Sequence, residues 1–366
     1  MGDHFASRPD LLSVRTKAKQ ALSERLALAC LMAASLFSTS FARKAEERRA
    51  ITLNAPWITQ THYVMGTLLE VQVPGIASNE KVLASLFAIA RHHDEVFSTF
   101  KTDSPVSRFN RSGVKGTPFS APAEMIELVS LSRRFTEQTK GGFDITIGPL
   151  VRLWKEAAKR NQWPTREEVQ AARTHVGGPL VMVDSRAETI TALNDGVELD
   201  FNGIAKGYAV DKMVELLRGA GVTQAFINFG ESSIYALGND SDGRSWSIAV
   251  RDPHQPDRAA LTLRLSDMAL STSGSYEHSS KVAGRVVNHI IDPRTGMPAR
   301  NARAVTVVAP DATVAEALSK PLIVLPVGEG LKLLEGFPNT EAIIFYRSKS
   351  GHWKRAMSRG MKKFIE

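Results

Sequence analysis

The stretch Val197–Leu217, VELDFNGIAKGYAVDKMVELL, constrains this chain more than any other. A short apolar run ends at Asp200, a loop carrying Gly203 follows, and Lys206 opens a helical pattern. Val210, Met213, Val214 and Leu217 fall at i, i+3, i+4 and i+7, so one face of that helix belongs in a core. The order strand, glycine loop, helix sets backbone N–H groups and the positive end of a helix dipole beside Asp200 and Lys206. A phosphate-bearing ligand suits such a place. An ordinary strand–loop–helix junction with a solvated lysine has the same local pattern.

The 366 residues, 43% apolar and 23% charged, suffice to bury a sizeable core in one large α+β unit or two joined lobes. A formal charge of +8 is spread along the chain with no basic–aromatic stripe, which argues against nucleic acid. It suits a phosphorylated small ligand or an acidic protein partner. The single cysteine, Cys30, excludes a disulfide framework and a cysteine metal site. Arg15, Lys17, Lys19 and Arg25 precede the apolar run Leu26–Phe37, and Ser40-Phe41-Ala42 offers small residues for cleavage. Residues 1–42 therefore read as a signal peptide, 43–60 as a linker and 61–366 as one domain, exported to the periplasm or the inner-membrane face. The alternative is a buried N-terminal helix. The apolar run is too short for a stable membrane span.

Along the chain, Thr61–Val73 alternates like a strand interrupted by Gly66, and Glu80–Phe97 is helical, with His92 and His93 on its solvated side. Phe97–Asn110 reads as a loop, Met125–Thr139 as a helix, and Gly141–Trp154 as a glycine pair leading into a half-buried run. Thr165–Thr174 carries a capping box, Thr165 with Glu168. Strands are expected at Val181–Asp184, Thr189–Leu193, Ala225–Gly238 (broken at Gly230), Trp246–Arg251, Leu261–Leu265 and Val305–Val308. A helix over Thr313–Leu325 and a terminal hairpin of Ala342–Tyr346 and Trp353–Ser358 complete the reading. Leu270–His278 and Asn288–Ala299 are polar clusters. Hairpins mixed with helices indicate α+β rather than a doubly wound parallel sheet. No dinucleotide fingerprint, phosphate-binding NTPase loop, nucleophile elbow or H-E-x-x-H helix is present.

Taken together, the clusters resemble the ApbE family of FAD:protein FMN transferases. The segments that carry the likeness are YVMGTLLEVQV, FSTFKTDSPVSRFN, GGFDITIGPLVRLW, ELDFNGIAKGYAVD, INFGESSIYALG, STSGSY, HIIDPRTGMPA and AEALSK, in the family's order. The resemblance implies a single ApbE-type α+β domain of mixed, largely antiparallel sheets with helices packed around them. It also implies FAD as substrate, Mg²⁺ as metal, and attack by an acceptor protein's threonine on the phosphate next to riboflavin. Acceptors in the family carry a Ser/Thr-Gly-Ala-Thr-type site, and many are membrane electron-transfer subunits. Carried over, Met65, Phe100, Gly142, Phe143, Asp144, Asp200, Lys206 and Ile290 contact FAD. His289 becomes the general base, and Gly203, Glu316 and Ser319 become metal ligands. Asp292 and Thr295 read better as turn caps, and Ser273 likewise.

The metal helix departs from the family's A-D-A-L-x-T, reading Ala315-Glu316-Ala317-Leu318-Ser319-Lys320. Glu316 is a methylene longer, and a protonated Lys320 cannot coordinate. Mg²⁺ tolerates little deviation from octahedral geometry near ~2.1 Å. Either Glu316 and Ser319 hold a cation completed by waters, or the Lys320 ammonium takes its place and binds the pyrophosphate as a point charge. Pro321 is expected to kink the helix. Three activities follow: FMN transfer, FAD binding without catalysis, or FAD hydrolysis to FMN and AMP.

Overall fold

The computed structural model describes residues 56–255, 257–275 and 279–366. The expected signal peptide and the part of the expected linker up to residue 55 lie outside the described residues. Strand β1 (Trp57–Val64) begins inside the expected linker and pairs antiparallel with β2 (Thr67–Pro74). Gly66 is thus a hairpin turn rather than a bulge in one strand. Met65 and Gly66 both take positive φ, 50° and 75°, the backbone of a tight two-residue hairpin.

Helix α1 (Ala77–Phe97) follows as expected, burying Leu83, Leu86, Phe87 and Ala90. His92 is exposed, but His93 is only 5% exposed and packs against Phe97 and Tyr208. Its inward direction corrects the expectation of a solvated pair. The expected loop after it contains helix α2 (Pro105–Ser112). Ser104 caps it by accepting from Ser107 N–H at 3.1 Å, and Pro105 opens it, a Ser-Pro start signal readable in the sequence. After β3 (Pro118–Ser120) and α3 (Ala123–Gln138), the apolar run past the glycine pair becomes helix α4 (Gly148–Arg160). Asn161, in the left-handed region at φ 49°, ends α4. Helix α5 (Arg166–Arg173) shows the expected capping box in both directions.

Strands β4 (Val181–Asp184) and β5 (Thr189–Ala192) join β3 in a three-stranded sheet. Helix α6 (Ala205–Gly219) then buries all four positions read from its periodicity. Next come β6 (Ala225–Phe229), β7 (Ser233–Leu237), the paired β8 (Trp246–Arg251) and β9 (Ala259–Leu265), and β10 (Met268–Gly274). The polar cluster at 270–274 is therefore strand, not turn. A hairpin of β11 (Ser279–Val282) and β12 (Arg285–Asn288) leads to β13 (Ala302–Ala309), α7 (Ala312–Val324), α8 (Val327–Leu333), β14 (Glu341–Arg347) and β15 (Trp353–Met357).

The main sheet has eight strands in the order β1-β2-β6-β7-β10-β13-β14-β15, with every neighbouring pair antiparallel. One face carries α1, α6 and α7 over a core of Leu69, Val71, Ile227, Phe229, Val305 and Ile344. The other is covered by β8, β9 and the C-terminal turn through Met361. A second core beside it gathers Phe109, Met125, Phe143, Leu199 and Phe201. A parallel bridge between Ile147 and Glu198 makes the pairing mixed, and the fold is α+β. Among the described residues no helix is long and apolar enough to cross a membrane.

Candidate active site

The N-terminal end of α6 is where the sequence clusters meet. Gly203 stands 3.5–3.7 Å, measured from the position of an added Cβ, from Lys320 Cε and Cγ and from Phe143 Cε2. A Cβ on Gly142 would lie 2.9 Å from Pro321 Cβ, so only glycine lets that loop lie against α7. Gly141, at φ 77°, faces the Arg294 side chain. Three distant segments thus border one loop.

Lys206 reaches back from the first turn of α6 to donate to Ser232 Oγ at 2.5 Å. Ser232 lies in the β6–β7 turn, and its carbonyl accepts from Thr272 N–H at 3.0 Å. The hairpin tip bearing Met65 abuts the same turn, since Gly230 N–H donates to Leu68 O at 2.8 Å. On β10 the period of two places Ala269, Ser271 and Ser273 on the helix-bearing face. Ser273 therefore meets α7: its hydroxyl lies 2.8 Å from Ser319 Oγ and accepts from Lys320 Nζ at 2.9 Å. Ser273 is not the turn cap expected of it. Lys320 also donates to Ser319 Oγ at 3.1 Å, and Ser319 donates to the Glu316 carbonyl at 2.7 Å.

Asp200 accepts from Asn202 N–H at 2.8 Å, and Lys155 of α4 is its nearby cation. Burial pushes its carboxyl above the usual range despite both. The Lys155 ammonium also lies 5.3 Å over the exposed ring of Phe100, which places Phe100 on the Asp200 side of the loop. Asp144 is otherwise engaged. Its two oxygens accept from Thr146 N–H and Oγ1 and from Gly178 N–H at 2.7–2.8 Å, and burial raises its pKa. It anchors the loop that presents Phe143.

His289 is exposed at the end of β12. Asn288 Oδ1 accepts from Ile290 N–H at 2.9 Å, holding the backbone on either side of the histidine. Ile290, expected at the cofactor, puts its side chain into the main core. Asp292 closes the next turn as expected, accepting from Arg294 N–H, Nε and Nη2 at 2.8–3.0 Å. Thr295 Oγ1 accepts from Met297 N–H.

As a magnesium site this set does not fit. Glu316, 2% exposed, receives Gly207 N–H on Oε2 at 2.5 Å, and Ser273 and Ser319 receive an ammonium. Among the described residues no three His, Cys, Asp or Glu side chains stand together as ligands. Sequence reasoning missed Ser232, Lys155 and Arg294. Only Ser232 had a local signal, the polar Gly-Glu-Ser-Ser run between two strands.

The sequence profile of the ApbE family matches residues 65–344. The FAD:protein FMN transferase of Haemophilus influenzae is 30% identical over 297 residues, covering 79% of this chain and 85% of that protein. That of Escherichia coli K12 is 31% identical over 273 residues, with 71% and 76% covered. Among solved structures, the ApbE protein of Thermotoga maritima superposes with a TM-score of 0.76 at 28% identity, covering 85% of this chain and all of that one. The flavin transferase ApbE of Vibrio cholerae gives 0.72 at 26%, with 85% and 99% covered. On its sequence and its fold alike, this chain belongs to the ApbE family.

Proposed function

We propose that this chain transfers FMN from FAD to a threonine hydroxyl of an acceptor protein. The observation that carries the reading is the meeting of Lys206, the Gly203 loop and the Gly141–Phe143 loop at the N-terminal end of α6. A pyrophosphate needs cations and backbone N–H groups there, and a flavin needs apolar contacts of the kind that Met65 and the exposed ring of Phe100 supply. Asp200 borders the same loop, with Lys155 as its nearby cation.

In the reaction the threonine oxygen attacks the phosphorus next to riboflavin. A new P–O bond to the threonine forms, the bond to the AMP phosphate breaks, and AMP leaves with the electron pair. The hydroxyl proton passes to His289, whose imidazole accepts it in the neutral form. Positioning and charge neutralisation supply most of the acceleration in such transfers. The acceptors are proteins with a Ser/Thr-Gly-Ala-Thr-type site, such as membrane electron-transfer subunits, met on the periplasmic side after export.

The test combines purified full-length chain, FAD and a peptide bearing the acceptor threonine. A covalently flavinylated, fluorescent peptide and one AMP per label are expected. Absence of labelled peptide overturns the reading, and AMP formed equally without peptide assigns FAD hydrolysis instead. His289→Ala should cut labelling by ~10²–10⁴-fold while FAD still binds.

A further inference from the structure

The departure in the metal helix has a structural answer. Lys320 projects from α7 across Gly203, and its ammonium is seated on the hydroxyls of Ser273 and Ser319 at 2.9 and 3.1 Å. Both hydroxyls are buried, at 6% and 0% exposure, so their oxygens are fixed. Ser319 spends its own proton on the Glu316 carbonyl, which turns its lone pairs toward the ammonium and Ser273. Any divalent ion using these oxygens would share them with a positive charge. Glu316, the one carboxylate in the turn, gives its Oε2 to the Gly207 N–H in the first turn of α6.

Lys206 matches this arrangement on the neighbouring strand. Its ammonium is seated on Ser232, whose carbonyl takes the N–H of Thr272, the residue before Ser273. Two ammoniums, Lys320 held by two hydroxyls and Lys206 by one, therefore belong to the surroundings of the Gly203 loop. Two compact point charges suit the two phosphates of a pyrophosphate. We propose that Lys320 is the permanent cation of this site, so that the chain binds the pyrophosphate of FAD without a divalent metal. The identity of the ligand rests on the proposed function; the diphosphate chemistry rests on the lysines.

The experiment titrates the full chain with FAD, by flavin fluorescence, and with ADP, by calorimetry, in EDTA and in excess Mg²⁺. Both affinities should agree within about twofold between the two buffers. Lys320→Met should weaken both at least ~10-fold, and Lys320→Arg should recover most of the loss. Matching thermal melts identify variants that remain folded. In the double variant Glu316→Asp, Lys320→Thr, affinity should become Mg²⁺-dependent by ~10-fold or more. Affinity that collapses in EDTA, or that survives Lys320→Met, overturns the inference. FAD and ADP binding lost in EDTA, with peptide labelling in Mg²⁺, would leave the transferase reading standing and remove this one. ADP binding in EDTA with no labelling under any condition would do the reverse.

Discussion

Helices α6 and α7 exchange carboxylates across their crossing, and the two exchanges differ in what they leave over. At one end Asp211 of α6 accepts from Ala312 N–H, Thr313 N–H and Thr313 Oγ1 at 2.5–2.8 Å, capping the start of α7. Asp311, the residue in the capping position itself, makes no side-chain cap. At the other end Glu316 of α7 accepts from Gly207 N–H in the first turn of α6. The helices touch backbone to backbone between these points, since a Cβ on Gly207 would lie 2.4 Å from Ala312 O. The Asp211 end satisfies orphan N–H groups of one helix start and lies within the scaffold. The Glu316 end does the same for one N–H of α6 but lies beside the site, and it engages one oxygen of the carboxylate that the resemblance assigned to a metal. A single capping device thus supports the fold at one end and sets the ligand chemistry at the other.

Removing Asp211 should break that comparison most severely. Asp211→Ala strands two helix-start N–H groups and a hydroxyl, and should cost about 3–4 kcal/mol in denaturant unfolding. The FAD affinity of the folded fraction should hold within about twofold. A loss of affinity without a loss of stability would place Asp211 in the site.

Acidity should separate the ends next. Burial against Phe97 and Tyr208 lowers the His93 pKa to about 4, and its Nδ1 has no hydrogen-bond partner among the described residues. With its folded pKa depressed, His93 contributes stability that is complete above about 6.5 and lost as pH falls toward 4, at most about 3 kcal/mol. Burial instead pushes the Asp211 carboxyl up to about 6, so its contribution runs the other way, greatest below 4 and lost as pH rises through 6. Comparing pH–stability curves of the wild type and His93→Phe isolates the first effect. Identical slopes between pH 4 and 6.5 would show that His93 does not titrate there.

The smallest effect should come from Glu316→Gln, whose amide oxygen still accepts from Gly207 N–H. Stability should drop by less than about 1 kcal/mol, with FAD affinity in EDTA intact. A tenfold loss of affinity confined to Mg²⁺ buffer would show Glu316 acting as a metal ligand after all.

Much of this was legible in the chain itself. Val210, Met213, Val214 and Leu217 announced the buried face of α6, Thr165 and Glu168 announced a capping box, and the ordered clusters from Met65 to Lys320 announced the family. Such signals lie within one or two turns of chain, where periodicity and capping act. The Ser-Pro start of α2 was of the same kind and was overlooked. The partners of Asp211 and Glu316 are of another kind, 101 and 109 residues away, and no local pattern encodes them. Nor does spacing tell that His93 points inward, or that Lys320 spans Gly203 to two buried serines. The residue types at the site came from the sequence. Which charge stands at Gly203 depends on how two helices cross, and only their packing at Gly207 decided that.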